Sequence, residues 1–489
     1  MNPSVKRNYI YHLLFEILKI ILPFITAPYV SRVLEPDGVG IYDFTTANLT
    51  YFMLLAGLGT SSYATREIAR NRNDKHAYSK IFWEVELLSM CTSLFSLLLW
   101  SIVIMKGGEY RVYYIVLSVG ILTNMFDISW FFTGQEQVKY IVIRNFVCKI
   151  LGVVCLFAFV KQKSDLLLYM IINISISLLG SLSMWTYLPR MLEKVDFKTL
   201  SLKKHFRQTL VYFVPSIASS VYTVLDKTLI GLITKNSYQN GYYGYATTIM
   251  SMIKTLVFVS VNAVMGARIS YLYAEEKYDE IKQRIHRSLD YVILLAIGCL
   301  FGLLGVAKSF VPAFLGDKYA PVIKMLYLMS PLVFIIGISD CIGSQYYTPS
   351  GQRAKSARFL IYGSIVNLIM NLVLIPKLGA EGAIVASVVA ETLITSLYVT
   401  QSERMVTISE LFKMTYKRLI VGALMLGIIY ALDTSITFGG YPKVFVEVII
   451  GGGFYLITLW LLFKDSMMNY LVNMAKDYAI LGYRKVFRK

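Results

Sequence analysis

About fourteen apolar stretches, each near the roughly 20 residues that cross a bilayer as a helix, run the length of this chain with short polar loops between them. They centre on residues 10–33, 40–62, 82–105, 112–133, 140–160, 166–188, 209–233, 243–267, 289–307, 322–346, 358–376, 380–400, 417–435 and 443–463. A backbone inside hydrocarbon must satisfy its own N–H and C=O groups, so runs of this length can only be helices there. A chain of 489 residues would otherwise suggest about three soluble domains. With 56% hydrophobic residues, 16% charged and a mean hydropathy of +0.58, little remains for an extramembrane domain. The expected fold class is an all-α polytopic membrane protein whose function lies among its helices. Two stretches are less regular: Thr45–Gly59 carries polar residues, and Val322–Tyr346 is interrupted by Pro331 and Asp340.

The formal net charge of +18 would suggest nucleic acid as a partner of a soluble chain. Here the charge follows topology instead, and no nucleic-acid partner is expected. About 32 Lys and Arg fall in the terminal and even-numbered loops, about 9 in the odd-numbered loops and about 7 within spans. The richest loops are Arg66–Lys80, Arg190–Arg207, Arg268–Arg287, Arg353–Arg358 and Arg404–Arg418, and Arg484, Lys485, Arg488 and Lys489 share their side. The positive-inside rule makes that side cytoplasmic, with both termini on it, and puts the loop Leu34–Gly38 outside. Lys6 and Arg7 precede a long span with no small-residue cleavage site, so the first span is expected to be retained. Cys91, Cys148, Cys155, Cys299 and Cys341 lie in apolar segments without CxxC spacing, which suggests neither a disulfide framework nor a zinc site. His12, His76, His205 and His286 are scattered, and no cofactor is expected.

The chain repeats itself. Gly40-Ile41-Tyr42-Asp43-Phe44-Thr45-Thr46 follows the first span, and Gly241-Tyr242-Tyr243-Gly244-Tyr245-Ala246-Thr247 follows the seventh. The fourth span ends in Asp127-Ile128-Ser129-Trp130-Phe131-Phe132-Thr133-Gly134-Gln135; the tenth ends in Asp340 and then Tyr346-Tyr347-Thr348-Pro349-Ser350-Gly351-Gln352. Both pairs match spans six apart. An even number of spans per repeat predicts a parallel repeat about an axis along the membrane normal. The expected domains are a six-helix lobe over 1–206, a second over 207–402, and two further spans with a basic tail over 403–489. Two lobes facing each other across a central cavity is a common plan for alternating access.

Four stretches resemble the polysaccharide repeat-unit (O-antigen/capsule-type) flippase family of the multidrug/oligosaccharidyl-lipid/polysaccharide exporter superfamily. They are Pro28–Tyr42, Leu225–Gly231, Gly343–Gln352 and Asn371–Ala383, in order on the expected helices, and the resemblance covers roughly residues 1–465 in the scheme of two lobes. The resemblance implies transport of undecaprenyl-diphosphate-linked oligosaccharide units from the inner to the outer leaflet of a bacterial plasma membrane. There they feed capsule, O-antigen or exopolysaccharide assembly, with membrane lipids and polysaccharide polymerase machinery as further partners. A monomer is expected.

Such a cargo needs a polar cavity for its glycan, positive charge for its diphosphate and a lateral opening for its lipid. Ionisable residues inside spans are costly and are functional candidates by default. Lys254 of the eighth span has no acidic residue at helical spacing and is the leading candidate for the diphosphate, unless a carboxylate such as Asp43 or Asp226 on another helix pairs with it. Asp226 and Lys227 are neighbours that point about 100° apart, so each needs another partner or water. Glu16 and Lys19, three apart, read either as an internal pair or with Lys19 as a cavity cation. Arg32 reads as an interfacial or a cavity residue, and Lys149, near Arg144, as lining the N-lobe cavity or snorkelling. Pro23 and Pro28 are expected to bend the first helix, and Pro28 to contribute to gating. Asp127 and Asp340, at equivalent repeat positions, read as helix caps or as coupling carboxylates, and Glu391 as a further coupling candidate. Most of the 36 tyrosines belong to the interfacial belt.

An enzyme is not expected. No loop outside exceeds roughly 15–20 residues, and no metal-ligand cluster, nucleophile elbow or GxxxxGK[ST] loop appears. Energy would come from sodium, protons, the membrane potential or removal of product. A drug/cation antiporter and a lipid-linked peptidoglycan-precursor flippase of the same superfamily are the alternatives. The antiporter fits less well, since isolated lysines sit in the spans where a compact acidic pocket would be needed.

Overall fold

The structure is a computed structural model that describes the backbone of residues 3–259, 269, 271–273 and 275–487; the side chains of residues 3–20, 214–223, 256, 259 and 478–487 lie outside the description. Among the described residues all regular structure is helical. Ten segments among them are long and apolar enough to cross a membrane: Lys75–Lys106, Gly108–Gly134, Val138–Phe159, Lys163–Met191, Tyr278–Leu315, Pro321–Tyr347, Arg353–Leu378, Ala380–Thr400, Ile408–Ser435 and Tyr441–Leu461. They fall on ten of the expected spans. The other expected spans fall on a long first helix, on Leu202–Thr234, and on Ser237–Lys254 with the residues after it, of which 260–267 lie outside the description.

Contacts group the chain into residues 1–244 and 245–489. The first unit contains α1 (Pro3–Gly57), α2 (Thr60–Arg70), α3 (Lys75–Lys106), α4 (Arg111–Met125), α5 (Ser129–Gly134), α6 (Val138–Phe159), α7 (Leu166–Trp185), α8 (Leu188–Met191), α9 (Leu202–Thr234) and the start of α10 (Ser237–Lys254). α1 stays helical through Pro23 and Pro28 and leaves helical dihedrals at Glu35 (φ 59°, ψ 172°), just before Pro36. This break falls in the expected Leu34–Gly38 loop. Lys163 Nζ sits 3.0 Å from Asp37 Oδ2 and 3.9 Å from Glu35 Oε2 there, and the Ser237 hydroxyl donates to Asp37. Burial alone would raise the Asp37 carboxyl, but the Ser237 hydroxyl and the Lys163 ammonium hold it below the usual carboxylate range.

The glycines of the repeated motif serve a close approach. A methyl on Gly40 would stand 1.7 Å from the Ser237 carbonyl oxygen, and one on Gly241 would stand 2.0 Å from that of Pro36. The two members of the repeat therefore touch each other, backbone to backbone, where α1 meets α10. Hydroxyl side chains in this part of α1 turn back on their own helix: Thr45 Oγ1 donates to Ile41 O (2.7 Å), Thr46 Oγ1 to Tyr42 O (2.6 Å) and Thr50 Oγ1 to Thr46 O (2.9 Å). That removes their polar cost without a partner helix.

In the second unit, Ile408–Ser435 and Tyr441–Leu461 pack on each other and on Tyr278–Leu315. A buried guanidinium ties them. Arg418 donates to Asp465 through Nε (3.0 Å) and Nη2 (2.9 Å), and its Nη2 lies 2.6 Å from Asp290 Oδ1. Arg418 is 1% exposed, so its charge survives burial only because two carboxylates surround it.

Candidate functional site

A cavity of about 540 Å³ opens within the first unit, lined by α1, α4, α6 and α7. Its cations come from α6, where Arg144 and Lys149 stand five residues apart along the helix. Its carboxylate is Asp127, in the turn between α4 and α5. Thr26, Asn124, Asn145, Tyr169, Asn173 and Ser177 add polar groups to an otherwise apolar wall that includes Leu22 and Pro23.

Local chemistry sets each part. Asp127 Oδ1 accepts the backbone N–H of Ser129 at 3.0 Å, which fixes the start of α5. The adjoining corner is locked by the Trp185 indole, which donates to the Phe126 carbonyl at 2.9 Å and so ties α7 to the end of α4. Arg144 then reaches Asp127: its Nη1 donates to Oδ1 at 3.4 Å, while Nε and Nη2 donate to Asn145 Oδ1 at 3.1 and 2.9 Å. Room for Cys148, one turn along α6 from Arg144, comes from Gly180 on α7. A methyl there would stand 2.9 Å from Cys148 Sγ and 3.8 Å from Arg144 Cδ. Among the described lining residues the charged groups are two cations, Arg144 and Lys149, and one carboxylate, Asp127. A planar guanidinium and a flexible ammonium over neutral amides and hydroxyls suit an anion that carries polar substituents.

Asp127 and Lys149 are thus brought to one cavity, together with Arg144. Lys227 and Asp226 lie elsewhere in the same unit. Lys227 Nζ bonds Asp43 Oδ1 at 2.8 Å, and buried Asp226 accepts from Tyr243 Oη at 2.6 Å. A methyl on Gly244 would stand 1.6 Å from Asp43 Oδ2, so this glycine admits the pair. Arg32 Nη1 donates to the Pro28 carbonyl at 2.8 Å. Lys19 and its neighbour Glu16 lie outside the described side chains.

In the second unit, Lys254 ends α10, and the carboxylates whose charge bears on it are Glu391 and Asp340. Three candidates far apart in sequence thereby share one electrostatic neighbourhood. Asp340 lies near the end of Pro331–Ile342 rather than at a helix start, so its side chain does not repeat the capping geometry of Asp127.

Sequence reasoning missed Glu84, Glu86 and His205. His205 of α9 is 1% exposed; its Nε2 lies 2.7 Å from Glu84 Oε2 and its Nδ1 2.7 Å from Tyr63 Oη. The available signal was a pair of acidic residues, Glu84 and Glu86, near the start of the apolar run 82–105. Among the described residues no group of His, Cys, Asp and Glu could hold a metal ion.

Three comparisons bear on this arrangement. The sequence pattern of the polysaccharide biosynthesis protein family matches residues 5–271. The chain is 23% identical over 401 residues to a protein of Escherichia coli (strain K12) named as an O-antigen transporter, covering 81% of this chain and 95% of that one. It is 21% identical over 286 residues to a protein of Haloferax volcanii named as the low-salt glycan biosynthesis flippase Agl15, covering 58% of this chain and 59% of that one. Among solved structures, the lipid II flippase MurJ in an inward closed conformation is similar in fold. The TM-score is 0.73 at 17% identity, covering 94% of this chain and 99% of that one.

Proposed function

This chain belongs to the polysaccharide biosynthesis protein family, and from that premise we propose that it is a flippase for lipid-linked oligosaccharides. Its cargo in this proposal is an undecaprenyl-diphosphate-linked oligosaccharide, carried by alternating access across a bacterial plasma membrane with both chain termini in the cytoplasm. The observation that carries the proposal is the polar cavity of the first unit, which Arg144 and Lys149 of one helix line together with amides and hydroxyls. The guanidinium supplies a fork for phosphate oxygens, and the ammonium supplies a point charge that adapts to the second phosphate. Asn124, Asn173, Ser177 and Tyr169 offer donors and acceptors to the first sugar.

The proposal moves the diphosphate contact from Lys254 to Arg144 and Lys149, because those two cations line the polar cavity, whereas the charges that bear on Lys254 are those of Glu391 and Asp340. Lys254 and its carboxylates become the coupling group of the second unit. Lys227, held by Asp43, and Asp226, held by Tyr243, join α1, α9 and α10 in the first; Arg32, Pro28 and Lys19 belong to α1, the helix that borders the cavity. The chain performs no bond chemistry in this reading.

The test is translocation in proteoliposomes. Wild-type protein is expected to move an undecaprenyl-diphosphate oligosaccharide between leaflets and to leave organic cations untransported. Exchange of organic cations for protons or sodium, with no glycolipid movement, would replace the proposal with the antiporter.

A further inference from the structure

Glu86 of α3 is completely buried, and among the described residues neither of its carboxylate oxygens has a hydrogen-bond partner. An ionised carboxylate in that position would cost several kcal/mol with nothing to offset it. The residue also heads a buried polar line. Ser89 (5% exposed), Ser93 (1%) and Ser96 (0%) follow it at helical spacing on one face of α3. Ser96 Oγ donates to the Phe52 carbonyl of α1 at 2.6 Å, whereas Ser93 Oγ, like Glu86, is buried without a partner. A packed span rarely keeps two unanswered polar groups on one buried face.

The elements packed on α3 are α1, α2, α4 and α9. α1 meets it with backbone carbonyls, those of Phe52 and Ala56, bonded by Ser96 and Thr92. α9 brings His205, which is engaged with Glu84, about 200° round the helix from Glu86, and α2 brings Tyr63, which is bonded to His205. From the end of α4 comes Asp127, the charge that bears on Glu86, with Arg144 of α6 bonded behind it. Asp127, an electrostatic neighbour of Glu86, is thus also the partner of Arg144, which lines the cavity.

We propose that Glu86 is a proton-binding site of the first unit, loaded in step with anion binding in the Arg144 cavity. The proton leaves a Glu86 oxygen for water and returns from water; no other bond changes. Each negative charge nearby favours the loaded form, and an anion on Arg144 adds charge while diverting the guanidinium from Asp127. Proton and anion thus assist each other's binding, and the linkage is reciprocal. Only this linkage rests on the flippase proposal; the proton site stands on the burial of Glu86.

The test is infrared spectroscopy of the purified, folded protein across pH, with binding of undecaprenyl diphosphate measured in parallel. A protonated-carboxyl carbonyl band is expected at neutral pH. It should fade reversibly as pH rises, survive Asp127→Asn and vanish in Glu86→Gln. Affinity for undecaprenyl diphosphate should fall as pH rises through that transition, by a factor that is lost in Glu86→Gln. A band unaltered by Glu86→Gln, or one that persists until the protein unfolds, overturns the proton site. A pH dependence of affinity identical in wild type and Glu86→Gln overturns the linkage. If wild type does not bind undecaprenyl diphosphate at all, the flippase proposal and the linkage fall together, and the band alone decides the proton site. Should Glu86→Gln not fold, Glu86→Asp keeps the acid and is expected to shift the band; an unshifted band overturns the assignment.

Discussion

Replacing Arg144 with glutamine removes the fork that the proposed cargo would grip. In the structure that fork is held loosely on one side. Its bond to Asp127 is 3.4 Å, well beyond the roughly 2.7–2.9 Å of a good charge-assisted bond, so a phosphate oxygen can displace the carboxylate at little cost. A hydrogen bond to a charged group is worth about 1.5–3 kcal/mol. At about 1.4 kcal/mol per decade, Arg144→Gln is predicted to weaken binding by about ten- to 150-fold. Stability should suffer little, because Asp127 is 40% exposed and keeps the Ser129 N–H. Arg144→Lys retains the charge without the fork and should fall between the two. The assay is equilibrium binding of an undecaprenyl-diphosphate oligosaccharide to purified protein, with thermal unfolding as the control for folding. A folded Arg144→Gln protein with unchanged affinity would refute the reasoning.

Three further outcomes follow from the packing. Gly40→Ala places a methyl 1.7 Å from a backbone oxygen, which must push α1 from α10; overpacking of this kind costs about 1–3 kcal/mol, read as a lower Tm. Arg418→Ala strands Asp290 and Asp465 at a buried site and should cost about 3–5 kcal/mol, whereas Lys413→Ala, at an exposed position of the same helix, should leave the Tm unchanged. Asp37, held below its ordinary value of 3.8 in the folded chain, contributes stability that is present above that value and lost as pH falls through the lowered one. The Tm gap between wild type and Asp37→Asn should therefore close in acid, and a gap constant with pH would contradict it.

Helices and their approximate spans were legible because hydrocarbon allows a chain one economical backbone. The Gly40 and Gly241 motifs were legible as a repeat, but not as surfaces that touch each other, because contact depends on the course of α1 after its break at Glu35. Lys149 and Asp127 stood out as charges within apolar runs. Their meeting through Arg144 did not, since that bond joins residues 17 apart across a turn. Lys254 read as a lone cation because its carboxylates, Glu391 and Asp340, arrive from distant helices. Glu86 escaped notice for the opposite reason: its sequence neighbourhood looks like a wet span end, and only packing reveals a dry one.

The claim that the cargo's head group occupies the cavity between α4, α6 and α7 is tested most directly by photo-crosslinking. The wild-type protein would be loaded with an undecaprenyl-diphosphate oligosaccharide carrying a photoreactive group on its first sugar, and adducts mapped by mass spectrometry. Adducts should concentrate on residues 138–185, around Asn173 and Ser177, and should decline in Arg144→Gln. Adducts confined to other helices, or equally abundant in Arg144→Gln, would contradict the account.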